Sequence, residues 1–172
     1  GYSDAGALMG GLYRLGFKHI AHGPMPVDMI RQGGEVAVKR ALSWLIERAP
    51  ESVELSLMFD GASAAFNIMV LQSIIGTPLE PDLRGHVLML EDVGEYLYRI
   101  DRALFAITAS ANIRQVKGVK LGRLSDVPEN DKPFGANEEE LVRYWCARSG
   151  IPYLGRCDIG HDIENKVVPF GA

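Results

Sequence analysis

The feature that most constrains the fold is the apolar run Val87–Leu90, which is followed directly by Glu91 and Asp92. A short run of consecutive apolar residues has no polar face, and this is typical of a strand buried on both sides. Segments with helical periodicity lie before and after the run, and alternating strands and helices indicate an α/β domain. We therefore expect a buried strand that ends in two acidic side chains.

The other elements are predicted from the spacing of apolar residues. The predicted helices are Asp4–Leu15, Glu35–Arg48, Ala62–Ile75, Tyr98–Thr108 and Glu138–Ser149, and the further strands are Val53–Phe59 and Val116–Leu121. Residues 21–26 contain two prolines and a glycine, which cannot continue a helix or a central strand. We expect a domain boundary or linker there, and a surface loop over Ser125–Asn137.

Charge and apolar content exclude several classes of partner. Lys and Arg number 18 against 22 Asp and Glu, a net charge of −4, which gives no cationic field for nucleic acid. No apolar run approaches the roughly 18 residues that span a bilayer, so we expect no membrane segment. Cys146 and Cys157 lack C-x-x-C spacing, which favours reduced thiols, a cytoplasmic protein and no metal site.

Two polar residues are candidates for chemistry. Glu91 follows a buried strand, and α/β folds place ligand and catalytic groups at the carboxyl ends of their strands. His161 follows Gly160 in a polar loop, where its imidazole can be exposed. The alternatives are a solvated acidic turn for Glu91 and a solvated loop histidine for His161.

Ser3 is a third candidate, because it stands directly before the first predicted helix and between glycines. A serine on a sharp turn at a helix start is similar to a nucleophile elbow, although Ala5 stands where that motif has its last glycine. The alternative is an ordinary N-cap serine. With Glu91 and His161, Ser3 would supply the hydroxyl, carboxylate and imidazole that acyl transfer needs.

Seven motifs occur in the order of one known family. They are Gly1-Tyr2-Ser3-Asp4, His22-Gly23-Pro24-Met25, Ile75-Gly76-Thr77-Pro78, Leu90 through Glu95, Tyr98 through Arg102, Leu121-Gly122-Arg123 and Gly160 through Gly171. The sequence thus resembles the serine LD-carboxypeptidases, or muramoyltetrapeptide carboxypeptidases, whose relatives include the microcin immunity peptidases. The resemblance covers essentially the whole chain.

The resemblance implies a role for each candidate residue. Ser3 falls on the nucleophile of the family, Glu91 on its glutamate and His161 on its histidine. The backbone amide of Asp4 would be one donor of the oxyanion hole. The resemblance implies neither a metal nor a cofactor.

The resemblance also implies two domains: a Rossmann-like N-terminal domain that supplies the nucleophile elbow, and a swivelling β/β/α C-terminal domain. Residues 1–25 would be the end of the first and residues 26–172 the second. The chain has no initiator Met, and on this alignment it starts at the elbow and lacks most of the N-terminal sheet. We therefore expect a fragment of a longer protein with little activity alone, because one oxyanion donor would be missing.

The implied reaction is hydrolysis of the L,D-amide between meso-diaminopimelate and the terminal D-Ala of murein tetrapeptides, by a cytoplasmic homodimer. One alternative is an immunity-type amidase that cleaves peptidyl- or aminoacyl-nucleotides. An aromatic platform for adenine would favour it, and Tyr96, Tyr98 and Phe134 are available. Another alternative is an inactive truncated binding module.

Overall fold

The computed structural model describes residues 1–55 and 61–171. Within those ranges the chain forms five α-helices and six β-strands. The helices are α1 (Ala5–Arg14), α2 (Gly34–Glu47), α3 (Ile68–Ile74), α4 (Leu97–Ala109) and α5 (Glu138–Ser149). The strands are β1 (Ala21–His22), β2 (Ser63–Asn67), β3 (Val87–Val93), β4 (Gly118–Ser125), β5 (Tyr153–Arg156) and β6 (Val168–Pro169).

Four strands form a parallel sheet in the order β2-β3-β4-β5. The apolar run Val87–Leu90 belongs to β3, which is an interior strand and is buried over most of its length. In the register of β2 with β3, Asn67 pairs with Glu91, so the carboxyl ends of these two strands lie side by side. The predicted α/β class is confirmed.

Alternate side chains of the sheet point to opposite faces and divide the core into two apolar clusters. Phe66, Leu88 and Leu90 pack with residues of α3, α4 and α5 on one face. Met89 packs with Ile159 and with β6 on the other face. Helices therefore cover one side of the sheet, and the chain segment that contains Ile159 covers the other.

Helix α1 packs closely against α3 and β2. A Cβ at Gly6 would lie 3.2 Å from Cγ1 of Val70 and 3.4 Å from Cδ1 of Phe66. Met9, one turn further along, joins the same core cluster as Phe66. The turn before α1 therefore lies next to the start of α3.

Strands β1 and β6 form a second, antiparallel sheet of two strands. The register pairs Ala21 with Pro169 and His22 with Val168. Since Val168 belongs to the apolar cluster that covers the second face of the main sheet, this pairing holds His22 over the same face.

The helix predictions are confirmed except for one segment. Helix α5 has the predicted bounds, and α1, α2 and α4 differ from prediction by one residue at each end. The predicted helix Ala62–Ile75 is wrong in its first part, because residues 63–67 form strand β2. Periodicity cannot show whether a short apolar run that is buried on both faces is a helix or a central strand. In this protein the run is a strand of the sheet.

The strand predictions are confirmed in part. The strand predicted over Val116–Leu121 is β4, displaced by a few residues. Of the predicted strand Val53–Phe59, residues 56–59 lie outside the described residues, and Val53 makes an isolated parallel bridge to Val167. Strand β5 was not predicted, because its four residues include a glycine and an arginine and alternate only between half-buried and exposed.

None of the helices in the described ranges is long and apolar enough to cross a bilayer. The longest is α2, with 14 residues. A membrane-spanning helix needs about 20 residues.

Candidate active site

Glu91 lies near the carboxyl end of β3 and is fully buried. Side chains at 87, 89 and 91 point to the same face, which is the face that Ile159 covers. On the neighbouring strand, Gly122 lies where the register between β3 and β4 shifts. A Cβ at Gly122 would lie 2.7 Å from the carbonyl oxygen of Ile159 and 3.2 Å from Cβ of Glu91. The glycine therefore lets the segment around Ile159 lie directly over Glu91.

The loop after Ile159 brings His161 onto Glu91. Nδ1 of His161 lies 2.5 Å from Oε2 of Glu91, and the two side chains are 7% and 0% exposed. An ionised carboxylate only accepts hydrogen bonds, so Nδ1 of His161 is the donor and Nε2 is left free to act as a base. The solvated-residue alternatives for Glu91 and His161 are wrong, because both side chains are buried against each other.

The pKa of Glu91 reflects two opposing effects. Burial raises the pKa of its carboxyl group, because desolvation disfavours the charged form. The hydrogen bond from His161 and the nearby imidazole of His22 lower this pKa by more, and the net direction is below the ordinary value. Glu91 is therefore an ionised carboxylate at neutral pH, as an acceptor for the imidazole must be.

Ion pairs hold the loop that carries His161. Arg123 of β4 makes a 2.5 Å contact from Nε to Oδ2 of Asp162, and a second ion pair to Asp158. Arg31 donates a hydrogen bond to the carbonyl oxygen of His161. Planar guanidinium forks fix direction as well as distance, so the loop has a defined position above the sheet.

Ser3 occupies a strained turn before α1. Its φ is +57°, in the left-handed region that residues other than glycine seldom adopt. The N-cap residue of α1 is Asp4, whose side chain makes no capping hydrogen bond. The N-cap alternative for Ser3 is therefore wrong. The backbone N–H of Asp4 precedes the first helical turn, where amides have no intrahelical acceptor.

Tyr2 connects the turn of Ser3 to His161. The Tyr2 ring packs edge-on against the His161 ring, with centroids 4.6 Å apart. Its hydroxyl donates a hydrogen bond of 2.7 Å to Oδ1 of buried Asp28, and burial with this bond raises the pKa of Tyr2 to about 12. Among the described residues, Nε2 of His161 has no hydrogen-bond partner, so Ser3 is not bonded to it.

A surface cavity of about 330 Å³ borders Ser3 and is lined in part by Asn67, Asp92 and Glu95. Asn67 caps α3 through the amide of Val70, and its Nδ2 donates a hydrogen bond of 2.9 Å to Oδ1 of Asp92. Burial raises the pKa of Asp92 in spite of its hydrogen bonds. The sequence analysis did not single out Asn67, because it predicted a helix over Ala62–Ile75 and therefore no strand end at this position.

His22 is the second histidine beside Glu91, and the sequence analysis assigned it no role. Its Nε2 lies 3.6 Å from Oε1 of Glu91, and the two side chains are 1% and 0% exposed. The available signal was its place in one of the seven ordered motifs, His22-Gly23-Pro24-Met25. The structure thus brings together Glu91, His161 and His22.

A metal site can be sought directly in the described part of the chain. No group of three or more His, Cys, Asp or Glu side chains there is arranged to hold an ion. The two cysteines are free thiols, and burial raises the pKa of Cys146 to about 11 and that of Cys157 to about 12.

Comparison of the sequence and fold with known proteins gives a consistent result. The chain is 27% identical to the murein tetrapeptide carboxypeptidase of Pseudomonas aeruginosa over 187 residues, which cover 99% of this chain and 60% of that protein. A muramoyltetrapeptide carboxypeptidase from Oxalobacter formigenes superposes with a TM-score of 0.80 at 21% identity, over 99% of this chain and 61% of that one.

A second solved relative is the microcin C7 self immunity protein, with a TM-score of 0.78 at 18% identity, over 100% of this chain and 62% of that one. At such identities the superpositions show a shared fold. The chain spans between 38% and 60% of the length of three curated relatives.

The sequence profile described as the LD-carboxypeptidase C-terminal domain matches residues 60–172, which is more than half of the chain. The parallel sheet found here agrees with the fold of the solved relatives. This chain therefore belongs to the LD-carboxypeptidase family.

Proposed function

We propose that this chain carries the catalytic groups of a serine-type LD-carboxypeptidase, with Ser3 as nucleophile, His161 as base and Glu91 as its partner. The observation that carries the proposal is the buried contact of 2.5 Å between Glu91 and His161. A second support is the positive φ of Ser3, which is the strain expected of a serine on a nucleophile elbow. The substrate we propose is the amide between meso-diaminopimelate and the terminal D-Ala of murein tetrapeptides.

The residues divide the reaction between them. Ser3 Oγ attacks the scissile carbonyl carbon while His161 Nε2 takes the hydroxyl proton. As the tetrahedral intermediate collapses, the bond to D-Ala breaks and His161 returns the proton to the leaving amine. Water then attacks the acyl-enzyme with His161 again as base, and Ser3 recovers its proton. Glu91 stabilises the imidazolium form of His161 throughout.

The first proton transfer requires that Ser3 Oγ and His161 Nε2 approach each other. Catalytic hydrogen bonds are often long without substrate and shorten in the complex. The amide N–H of Asp4 is the donor that we assign to the oxyanion. Removal of one oxyanion donor typically reduces turnover by about 100- to 1,000-fold, so the completeness of the hole sets the activity of the chain.

The domain assignment is part of the proposal. We assign residues 1–25 to the end of a Rossmann-like domain and residues 26–172 to the C-terminal domain. The greater length of the relatives supports this assignment. The second oxyanion donor would come from the first domain. A homodimer and a cytoplasmic location remain predictions.

A second candidate is hydrolysis of an amide that joins an aminoacyl or peptidyl group to a nucleotide. It is favoured by the Tyr96 and Tyr98 rings, which stack with centroids 5.5 Å apart close to Glu95 of the cavity. Both rings are partly exposed and could stack on a base. A related solved structure holds the microcin immunity protein with aspartyl sulfamoyl adenosine.

Active-site labelling tests the nucleophile. A fluorophosphonate phosphonylates a serine that a neighbouring imidazole activates, with loss of fluoride, so we expect labelling of the wild-type chain and none of Ser3→Ala. Ser149→Ala, which removes a hydroxyl at the end of α5, should label like wild type. If Ser3→Ala labels as fast as wild type, the assignment of Ser3 is wrong.

A comparison of two substrates then distinguishes the two proposed reactions. Release of D-Ala from murein tetrapeptide and release of nucleotide from a peptidyl-nucleotide are measured side by side. Faster D-Ala release supports the carboxypeptidase, and faster nucleotide release supports the second candidate. Labelling of Ser3 with neither release, in a longer chain that includes the N-terminal domain, would contradict both substrate assignments.

A further inference from the structure

The carboxylate of Glu91 has two oxygens, and His161 contacts only Oε2. Oε1 is buried and, within the described part of the chain, has no hydrogen-bond partner. The nearest ion-pair partner of Oε1 is Nε2 of His22, at 3.6 Å. Both ring nitrogens of His22 also lack hydrogen-bond partners there. A buried acceptor and a buried potential donor thus face each other slightly beyond bonding distance.

Such an arrangement is costly unless the two groups bond. An unsatisfied buried polar group costs about 1–3 kcal/mol, and a charged one costs more. The gap exceeds an ordinary N–H···O distance by only about 0.6 Å. A small movement of the His22 ring would therefore satisfy both atoms.

The surroundings of His22 leave few other polar partners. His22 borders a cavity lined mainly by apolar side chains, among them Met9, Trp44 and Val167. The titratable groups beside the histidine and carboxylate include Tyr2, from the turn before α1, and His161, from the loop after Ile159. The α-amino group of Gly1 and the side chain of His19 line the same cavity as His22. The Tyr2 ring lies 6.2 Å from the His22 ring, and its hydroxyl is bonded to Asp28.

We propose that His22 is a positioning residue: its Nε2–H donates to Oε1 of Glu91 and fixes the carboxylate from the side opposite His161. The inference deepens the proposed function and rests on it for the role of Glu91. With both oxygens bonded, the carboxylate cannot rotate away from His161. His161 then keeps its proton on Nδ1 and its Nε2 free toward the turn of Ser3.

The tautomer of His22 tests the proposal in the wild-type chain, without any variant that must fold. The chain has four histidines, so long-range ¹H–¹⁵N correlation spectra can resolve every ring. We expect a proton on Nε2 of His22 at neutral pH. A bare Nε2 with the proton on Nδ1 would overturn the proposal, because that ring could not donate to Glu91.

Substitutions test the effect on Glu91. His22→Phe keeps a ring but removes both nitrogens, whereas His22→Gln keeps an N–H donor at a similar distance from the backbone. The control is His19→Gln, the same change at an exposed histidine. The readout is the ¹³C titration midpoint of the Glu91 carboxyl, identified by its loss in Glu91→Gln.

We expect the titration midpoint of the Glu91 carboxyl to move to higher pH in His22→Phe, because the imidazole that stabilises the ionised carboxylate has been removed. His22→Gln should restore it in part, and His19→Gln should leave it unchanged. A folded His22→Phe with the wild-type midpoint would contradict the proposal. These readouts need no turnover, so failure of Ser3 labelling would overturn the proposed function and leave this test intact.

Discussion

Tyr2 and His161 lie edge to face, with ring centroids 4.6 Å apart, and Tyr2 precedes Ser3 in the chain. Seventy residues also separate Glu91 from His161, its hydrogen-bond partner. The candidate site is thus assembled from three distant segments, and each is held by contacts of its own. Those contacts lead to the predictions below.

Tyr2→Phe removes the hydroxyl that donates a hydrogen bond to Asp28 and keeps the ring that packs on His161. We expect the free energy of unfolding to fall by about 1–2 kcal/mol, since a buried carboxylate loses a donor. Urea denaturation measures the change. Tyr144→Phe, at an exposed tyrosine, is the control and should change little. Equal stability of Tyr2→Phe and wild type would show that the hydrogen bond from Tyr2 to Asp28 does not stabilise the fold.

Glu91 should make stability depend on pH. Its pKa is lower in the folded chain than its ordinary value, so its ionised form stabilises the fold above the unfolded-state pKa. This contribution is lost as pH falls through the folded-state pKa. We expect the stability difference between wild type and Glu91→Gln to shrink from about pH 7 to about pH 3, as measured by urea denaturation. A difference independent of pH would show that Glu91 has no such shift.

Arg123→Met should loosen the loop that carries His161. The variant loses the ion pairs to Asp158 and Asp162, which are half-buried, and we expect a local loss of about 1 kcal/mol. Hydrogen exchange at the amide of Gly160, which bonds to Oδ1 of Asn165, should then be about fivefold faster.

The matched control for Arg123→Met is Arg143→Met. It breaks an exposed ion pair to Glu139 on α5. Exposed ion pairs contribute little to stability, and this pair lies far from the His161 loop in sequence, so exchange at Gly160 should not change. Equal exchange in the two variants would mean that Arg123 does not hold the loop.

Gly122→Ala should be strongly disruptive. The added Cβ would lie 2.7 Å from the backbone oxygen of Ile159. Relief of this clash requires movement of the backbone at Ile159 or of strand β4, and either movement disturbs the packing around it. We expect a loss of about 1–3 kcal/mol, seen as a lower melting temperature, with slower labelling of Ser3 because the His161 loop is displaced. An unchanged melting temperature would contradict the close packing at this position.

The sequence predicted those elements whose patterns are local. Helix α5 has its predicted bounds, and local contacts set them: Asn137 and Glu140 form a capping box, and Gly150 ends the helix. The segment 63–67 was misassigned because its burial on both faces depends on the sheet around it. Strand β5 has only four residues, which include both apolar and charged side chains, so only its pairing with β4 identifies it as a strand.

The site was predictable to a similar extent. The motif order indicated Ser3, Glu91 and His161, and the structure brings Glu91 and His161 into contact. The motif order could not indicate the position of His22. That position depends on the pairing of β1 with β6, and strands of only two residues leave no recognisable sequence pattern. The roles assigned to these residues stay predictions until the labelling and titration experiments are done.

The two consecutive acids of β3 face opposite sides of one strand. Glu91 points to His161, whereas Asp92 accepts hydrogen bonds from Asn67 and from the amide of Met69 at the start of α3. Insertion or deletion of a single residue in β3 before this pair would exchange the two sides. The imidazole would then meet an aspartate one methylene shorter, and the helix start would meet a longer glutamate. Evolution can therefore change side chains along this strand, but it has little freedom to change the strand's length.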